Sequence, residues 1–290
     1  MLGGKGVNVR QRVSLPGANC VVTLNEANRP TSLGGQQQSK PLSRIAGRKQ
    51  PKAVGAGAPD STVSPLRRNS RKERNMTLKI WGRATSVNVQ KVMWAVDEIG
   101  VMRHRIDAGG AFGGLDAEDF IAMNPNRLVP VMDDGGFILF ESNAIVRYLA
   151  STYGRGGFRP TDRKEIARAD QWMEWGQTSL YADIITTCFI GLIRTPATDR
   201  DTKAITAASL RVGQKLAILD THLATRKFVG GATLTLADVP AGVLMYRYFT
   251  LPIERPRLPN VEAWYARLAE RTPYQNNVMI DYANLKVAGA

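Results

Sequence analysis

The chain has 290 residues, 43% of them hydrophobic, which is enough for one or two domains with a substantial core. Its formal net charge of +14 suggests a polyanionic partner until the charge is located: residues 1–75 hold 14 Lys/Arg against Glu26, Asp60 and Glu73, a surplus of +11, leaving only +3 for the rest. No run approaches 18 apolar residues and no short hydrophobic core follows a charged start, which argues against a membrane span or secretory signal; two cysteines, Cys20 and Cys188, make no disulfide framework and fit a reducing, cytoplasmic setting.

Residues 1–75 are rich in Gly, Pro, Ser, Gln and Arg and poor in large apolar side chains, so they read as a disordered basic leader. The densest cluster, Arg67 to Arg74, has the composition of an address or nucleic-acid signal, with a solvated leader as the simpler reading. Met76 opens the periodic sequence and is a candidate initiator, in which case the leader need not be translated. An organellar transit peptide fits the composition, but no clear amphipathic helix accompanies it. The body from residue 76 onward carries too little charge to imply a nucleic-acid partner.

The body begins with a strand, Leu78-Lys79-Ile80-Trp81, and a loop from Gly82 to Thr85. Ser86 is placed to cap a helix whose apolar positions are Val89, Val92, Met93, Val96 and Ile99, and Gly100 closes it. A polar second strand is expected around His104–Asp107. A loop holding Gly109, Gly110, Gly113 and Gly114 follows, then a short helix over Asp116–Met123. Strands at Val131–Asp133 and Phe137–Phe140 are joined through Asp134-Gly135-Gly136, a hairpin signal, and a helix runs from Ser142 to Tyr153. The order is βαβαββα over residues 76–153.

Gly154–Pro160 reads as a linker, with the boundary set at 154–162, and everything from 163 to 290 is helical in period. Helices are expected at Arg163–Leu180 with a continuation to about Ile193, Ala204–Leu223, Thr235–Tyr248, Val261–Arg271 and from about Gln275. Thr235-Leu236-Ala237-Asp238 resembles a capping box with Asp for Glu, a fold-stabilising feature. Pro240 inside the following helix should remove a hydrogen bond and bend it.

The most informative stretch is Asn124–Tyr153. Pro130 ahead of a strand cannot donate to a sheet ladder and marks a specialised turn in which a cis bond is favoured. Glu141-Ser142 stands at a strand-to-helix junction, where the Ser142 hydroxyl and the first helical amides form a small anion site. About a dozen residues separate the two features, a spacing suited to a peptide-like ligand bearing a carboxylate.

Together with Ser86 and the all-helical second half, these residues resemble the glutathione S-transferase family over roughly residues 77–285, closest to its bacterial theta-like and phi-like branches. The resemblance implies a thioredoxin-like N-terminal domain that holds glutathione and an all-α C-terminal domain that shapes a pocket for a small hydrophobic electrophile. It implies that Val129 offers its backbone to the cysteinyl unit with Pro130 cis, that Glu141 and Ser142 bind the γ-glutamyl end, and that Ser86 donates to the sulfur. It also implies a homodimer, with glutathione as co-substrate and no metal. The chain departs from the family pattern at Arg127-Leu128, where many relatives have Gly-Gln; the Gln contact is absent, and Arg127 either offers a cation to a carboxylate or stands as an exposed, solvated side chain. The loop 107–114 lacks the His or Lys that often holds the glycyl carboxylate, which leaves that end of glutathione unassigned.

A free thiol has a pKa of about 8.5, and lowering it by about two units takes roughly 2.7 kcal/mol of preference for the thiolate. A hydroxyl donating to a charged acceptor supplies about 1.5–3 kcal/mol, and a helix N-terminus up to ~1 kcal/mol. Ser86 at a helix start therefore suffices without a general base; Asn88 is the runner-up donor, with Thr85 or a backbone amide third. Trp175, Trp172 and Phe189, with Tyr181 nearby, are candidates for the second-substrate pocket, against ordinary helix packing. Cys188 reads as a small buried hydrophobe, and the lack of Cys-x-x-Cys argues against thioredoxin-type redox chemistry. Two alternatives to conjugation stay open: glutathione-dependent reduction of peroxides or disulfides, and a non-catalytic glutathione-fold binding module.

Overall fold

The computed structural model describes residues 77–154 and 156–288. The basic leader and the candidate initiator Met76 lie outside the described residues.

Four strands form one sheet: β1 (Leu78–Trp81), β2 (Arg103–Ile106), β3 (Val131–Asp134) and β4 (Phe137–Phe140), in the order β2-β1-β3-β4. β1 pairs parallel to β2 and antiparallel to β3, and β3 pairs antiparallel to β4. A parallel pair needs a crossover, and α1 (Val87–Ile99) supplies it. The β3–β4 hairpin turns through Gly135 and Gly136, both at positive φ. α2 (Glu118–Met123) precedes β3, and α3 (Ser142–Thr152) follows β4 and packs on α1. The observed order is the expected βαβαββα, with β2 starting one residue earlier and α2 two residues later than the sequence suggested.

The second half is helical: α4 (Arg163–Trp175), α5 (Ile190–Ile193), α6 (Thr202–Leu223), α7 (Val239–Thr250), α8 (Pro259–Ala269) and α9 (Thr272–Asn277). Asp162 caps α4 by accepting from Lys164 and Glu165 amides. From α4 the helix runs on to α5 through π-helical turns at Gly176–Leu180 and Ala182–Phe189, a widening often found at functional sites. Gly176 lies so close to α7 that a Cβ there would be 2.8 Å from the Ala241 amide nitrogen. Pro240 does not bend a helix as expected: it occupies the first turn of α7, where its missing N–H removes no helical bond. The capping box is present, with Asp238 reaching back to Thr235.

α1 is the hinge of the packing. Its buried Val89, Val92 and Val96 face the sheet and α3, while Trp94, fully buried, stacks edge-on against Tyr274 of α9 at 4.9 Å. Arg271 makes a bidentate pair with Glu98 (2.8 and 2.6 Å), and Asn277 donates to Asp97 at 2.7 Å. Both faces of α1 are thus covered, one by each half of the molecule. No described helix is long and apolar enough to cross a membrane.

Candidate functional site

Ser86 occupies the N-cap of α1 in extended backbone (φ −79°, ψ 120°), but its hydroxyl caps nothing. The loop before it is fixed from behind: Gly82 N–H donates to Ile106, Arg83 N–H to Ala108, and the Ser86 amide to the Arg83 carbonyl. Gly82 is required, since at φ 149° a Cβ would stand 2.3 Å from Val89 Cγ2. No acidic side chain lies in the first turn of α1, so the positive end of its dipole is uncompensated next to a free hydroxyl.

Val129-Pro130 is cis. Val129 lies just before the β3 ladder, whose register begins at Val131, so its peptide groups are outside the sheet. The loop ahead of it is set by Asn124, which donates to the Leu128 carbonyl at 2.8 Å and accepts from the Asn126 amide at 3.1 Å. Arg127, at φ 54°, is exposed and pairs with Asp116 at 2.9 Å.

At the start of α3 the boundary differs by one residue from the sequence reading. Glu141, at φ 71° and exposed, is the N-cap, and Ser142 is the buried first helical residue. The Ser142 hydroxyl donates to Asn88 Oδ1 at 3.4 Å, which sets the start of α3 against the first turn of α1. That contact uses the Asn88 oxygen, so the Ser86 hydroxyl and the Asn88 amide N–H₂ both remain as donors at that helix start.

Beneath Ser142 is a residue the sequence reading missed. Lys91 of α1 is fully buried, and its ammonium donates to Ser142 Oγ at 3.5 Å, to Asn143 Oδ1 at 3.4 Å and to Gln177 Oε1, with Nζ 5.8 Å from the Tyr181 ring. Burial pulls its pKa down to about 7, opposed by the fields of Glu141 and Glu174. A signal existed: nearly every side of α1 is apolar, so a lysine within it has nowhere exposed to go.

The proposed second-substrate residues separate. Trp172 packs edge-on with Trp175 at 5.1 Å and lies 4.4 Å from the His222 ring, beside a cleft lined by Pro160, His222 and Val229, none of them in the sheet domain. Phe189, by contrast, lies under the Arg247 guanidinium at 4.5 Å, and Arg247 Nη2 donates to the Thr85 carbonyl at 2.7 Å, next to Ser86. Cys188 is buried and its thiol is pushed up to about 11 by that burial. Among the described residues no group of three or more His, Cys, Asp or Glu is arranged to hold a metal ion.

Comparison with known proteins agrees with this fold. Residues 76–151 match the family model of the glutathione S-transferase N-terminal domain, and residues 176–272 that of the C-terminal domain. The chain is 37% identical over 205 residues to glutathione S-transferase GstB of Escherichia coli K12, covering 70% of this chain and 98% of the relative. It is 29% identical to glutathione S-transferase 3 of Zea mays, over 69% and 93% of the two chains. Among solved structures it is similar to the theta class glutathione S-transferase of Xanthomonas axonopodis pv. citri with glutathione bound, at 43% identity and a TM-score of 0.67, covering 71% of this chain and 99% of that one. A thioredoxin-like sheet domain, an all-helical second domain and these matches along both place the chain in the glutathione S-transferase family.

Proposed function

We propose that the protein is a glutathione transferase that holds the glutathione thiol as a thiolate at Ser86 and directs it at an electrophile with an apolar body. The Ser142–Asn88 contact carries this reading, because it sets the Glu141-Ser142 corner within one helical turn of the uncapped Ser86 hydroxyl. Glutathione then lies along this rim. Glu141 accepts from its γ-glutamyl ammonium, Ser142 and the first α3 amides take the adjacent carboxylate over the Lys91 charge, and Val129 pairs with the cysteinyl backbone. Arg127 is the cation nearest the glycyl end. At the sulfur, the Ser86 O–H and the α1 dipole together supply the roughly 2.7 kcal/mol needed to lower the thiol pKa by about two units.

Conjugation is preferred over reduction because no cysteine stands at the α1 N-terminus to carry a redox cycle. The electrophile adds to sulfur on the helical-domain side. Exposed Phe137 and Ile138 on the edge strand β4 support a homodimer, and the buried free thiol of Cys188 suits the cytoplasm. Titration of bound glutathione by thiolate absorbance tests the assignment. Ser86→Ala should raise the bound-thiol pKa by about one to two units, with kcat at neutral pH falling in proportion, whereas Asn88→Ala should shift it less. An unchanged thiol pKa in Ser86→Ala refutes it.

A further inference from the structure

Two guanidinium groups, Arg247 and Arg83, flank the loop that ends at Ser86, and among the described residues neither is paired with a carboxylate. Arg247 is 3% exposed; one of its nitrogens donates to the Thr85 carbonyl, while Nε and Nη1 are buried without a hydrogen-bond partner. Buried guanidinium N–H groups are nearly always satisfied, so two open ones mark a place where a ligand completes the set. Arg83, on the loop that ends at Ser86, lies along Gly109 and Gly110 and is close enough to repel Arg247. Arg194, exposed just after α5, in turn repels Arg83. Among the described residues none of the three forms an ion pair with a carboxylate. The groups facing Arg247 are the phenols Tyr181, Tyr246 and Tyr282, along with Arg83. Asp281 acts on Tyr246 and accepts from the Ala283 amide. Burial and like-charge repulsion depress both Arg83 and Arg247, so an anion placed there would relieve a standing penalty.

The aromatic floor is equally specific. Arg247 lies 4.5 Å over Phe189 and 6.0 Å from Tyr282, Phe189 and Tyr282 meet edge-on at 5.1 Å, and Tyr246 joins Tyr282 at 6.1 Å. A ligand that satisfies both parts has a flat apolar body and an anionic head. Glutathione itself does not fill the role: its γ-glutamyl carboxylate is accounted for at Ser142, and Arg127 serves its glycyl end on the opposite loop.

We propose that Arg247 and Arg83 form an anion subsite and that the second substrate is an aromatic electrophile bearing a carboxylate, its ring against the half-buried Tyr246 and Tyr282 and its carboxylate on the two guanidinium groups. The proposal rests on the reading that glutathione thiolate forms at Ser86. With chlorodinitrobenzoate the thiolate sulfur would attack the chlorine-bearing carbon, the C–S bond would form as C–Cl breaks, and chloride would leave with the bonding pair. The substrate carboxylate would take no part beyond binding.

The test compares kcat/KM for chlorodinitrobenzoate with that for neutral chlorodinitrobenzene, in the full chain and in Arg83→Ala, Arg247→Met and Arg247→Lys. Taking the ratio of the two substrates cancels any general damage from loosening the Thr85 carbonyl. Arg83→Ala and Arg247→Met should each lower the anionic-to-neutral ratio about tenfold or more, through KM for the electrophile, and Arg247→Lys should keep most of it. A ratio unchanged within about twofold in both variants overturns the proposal, as does a loss confined to KM for glutathione. If neither electrophile is turned over, the glutathione reading fails on its own. Calorimetric binding of chlorodinitrobenzoate to the free protein then decides the subsite: affinity that drops in Arg83→Ala supports it, and no binding refutes it.

Discussion

Replacing Lys91 with methionine tests whether a buried cation underlies the γ-glutamyl subsite. The side chain keeps its length and loses its charge, in a place with no water to compensate. A fall in pKa from 10.5 to about 7 means that burial disfavours the ammonium by ~5 kcal/mol relative to water. The group is a base whose folded pKa lies below its unfolded one, so the unfolded chain binds more protons between about pH 7 and pH 10.5, and wild-type stability rises with pH across that window. Below it both states are charged and the full penalty is present. Urea unfolding at about pH 7.5 and pH 9.5 should therefore show wild type gaining ~2 kcal/mol more than Lys91→Met over the interval. Every other titrating group cancels in that double difference. At about pH 6, below the Lys91 pKa, the variant should match or exceed wild type in stability and yet bind glutathione more weakly, since the carboxylate proposed to lie over Ser142 loses its counter-charge. Equal pH slopes in the two proteins would refute the reasoning.

Glu141→Gln removes the acceptor charge proposed for the γ-glutamyl ammonium at an exposed corner, and KM for glutathione should rise about tenfold with kcat little changed; steady-state kinetics with chlorodinitrobenzene reads it. Asp238 is fully buried: Oδ1 accepts from the Val229 amide (2.7 Å) and Trp264 Nε1 (2.9 Å), and Oδ2 from the Thr235 amide (3.0 Å). Asp238→Asn must turn an NH₂ toward at least one of these donors and should destabilise the fold by ~2–4 kcal/mol by urea unfolding. Arg271→Ala leaves the nearly buried Glu98 without its bidentate partner and should lower stability by ~2 kcal/mol, with a smaller loss of glutathione affinity because α1 carries Ser86 and Lys91 at its other end. A larger effect on glutathione affinity than on stability would refute that order.

The sheet domain was legible because its signals are local. Leu78–Trp81 and Phe137–Phe140 are strands bounded by loop and turn residues, Gly100 stops α1 at φ 77°, and the Gly135-Gly136 turn needs two positive φ values. Val129-Pro130 and Glu141-Ser142 could be found for the same reason, being short motifs at element boundaries. Helix ends in the second half were less sharp, and Pro240 was misjudged because the break between Asp238 and Val239, from a tight turn into α7, leaves no mark in the hydrophobic period. Trp172 and Trp175 drew attention as aromatics near the right helix, but periodicity does not say which side of a helix meets which neighbour. Trp172 lies toward His222 of α6, while Phe189 reaches Arg247.

What escaped the sequence is long in range and of one kind. Lys91 belongs to the sheet domain and donates to Gln177 in the helical one; Arg247 belongs to the helical domain and donates to Thr85 in the sheet domain. Each is a cation inside an apolar helix, with a polar partner from the other domain among the groups that make its position tolerable. The two contacts bracket the first turn of α1, Arg247 on the loop before Ser86 and Lys91 behind Ser142. Docking of the helical domain and placement of both proposed carboxylate sites are therefore linked. A buried cation acts through its desolvation, so arginine for Lys91 is not a neutral exchange. The specificity of this family member is accordingly expected to reside in these two buried charges more than in the aromatic lining between them.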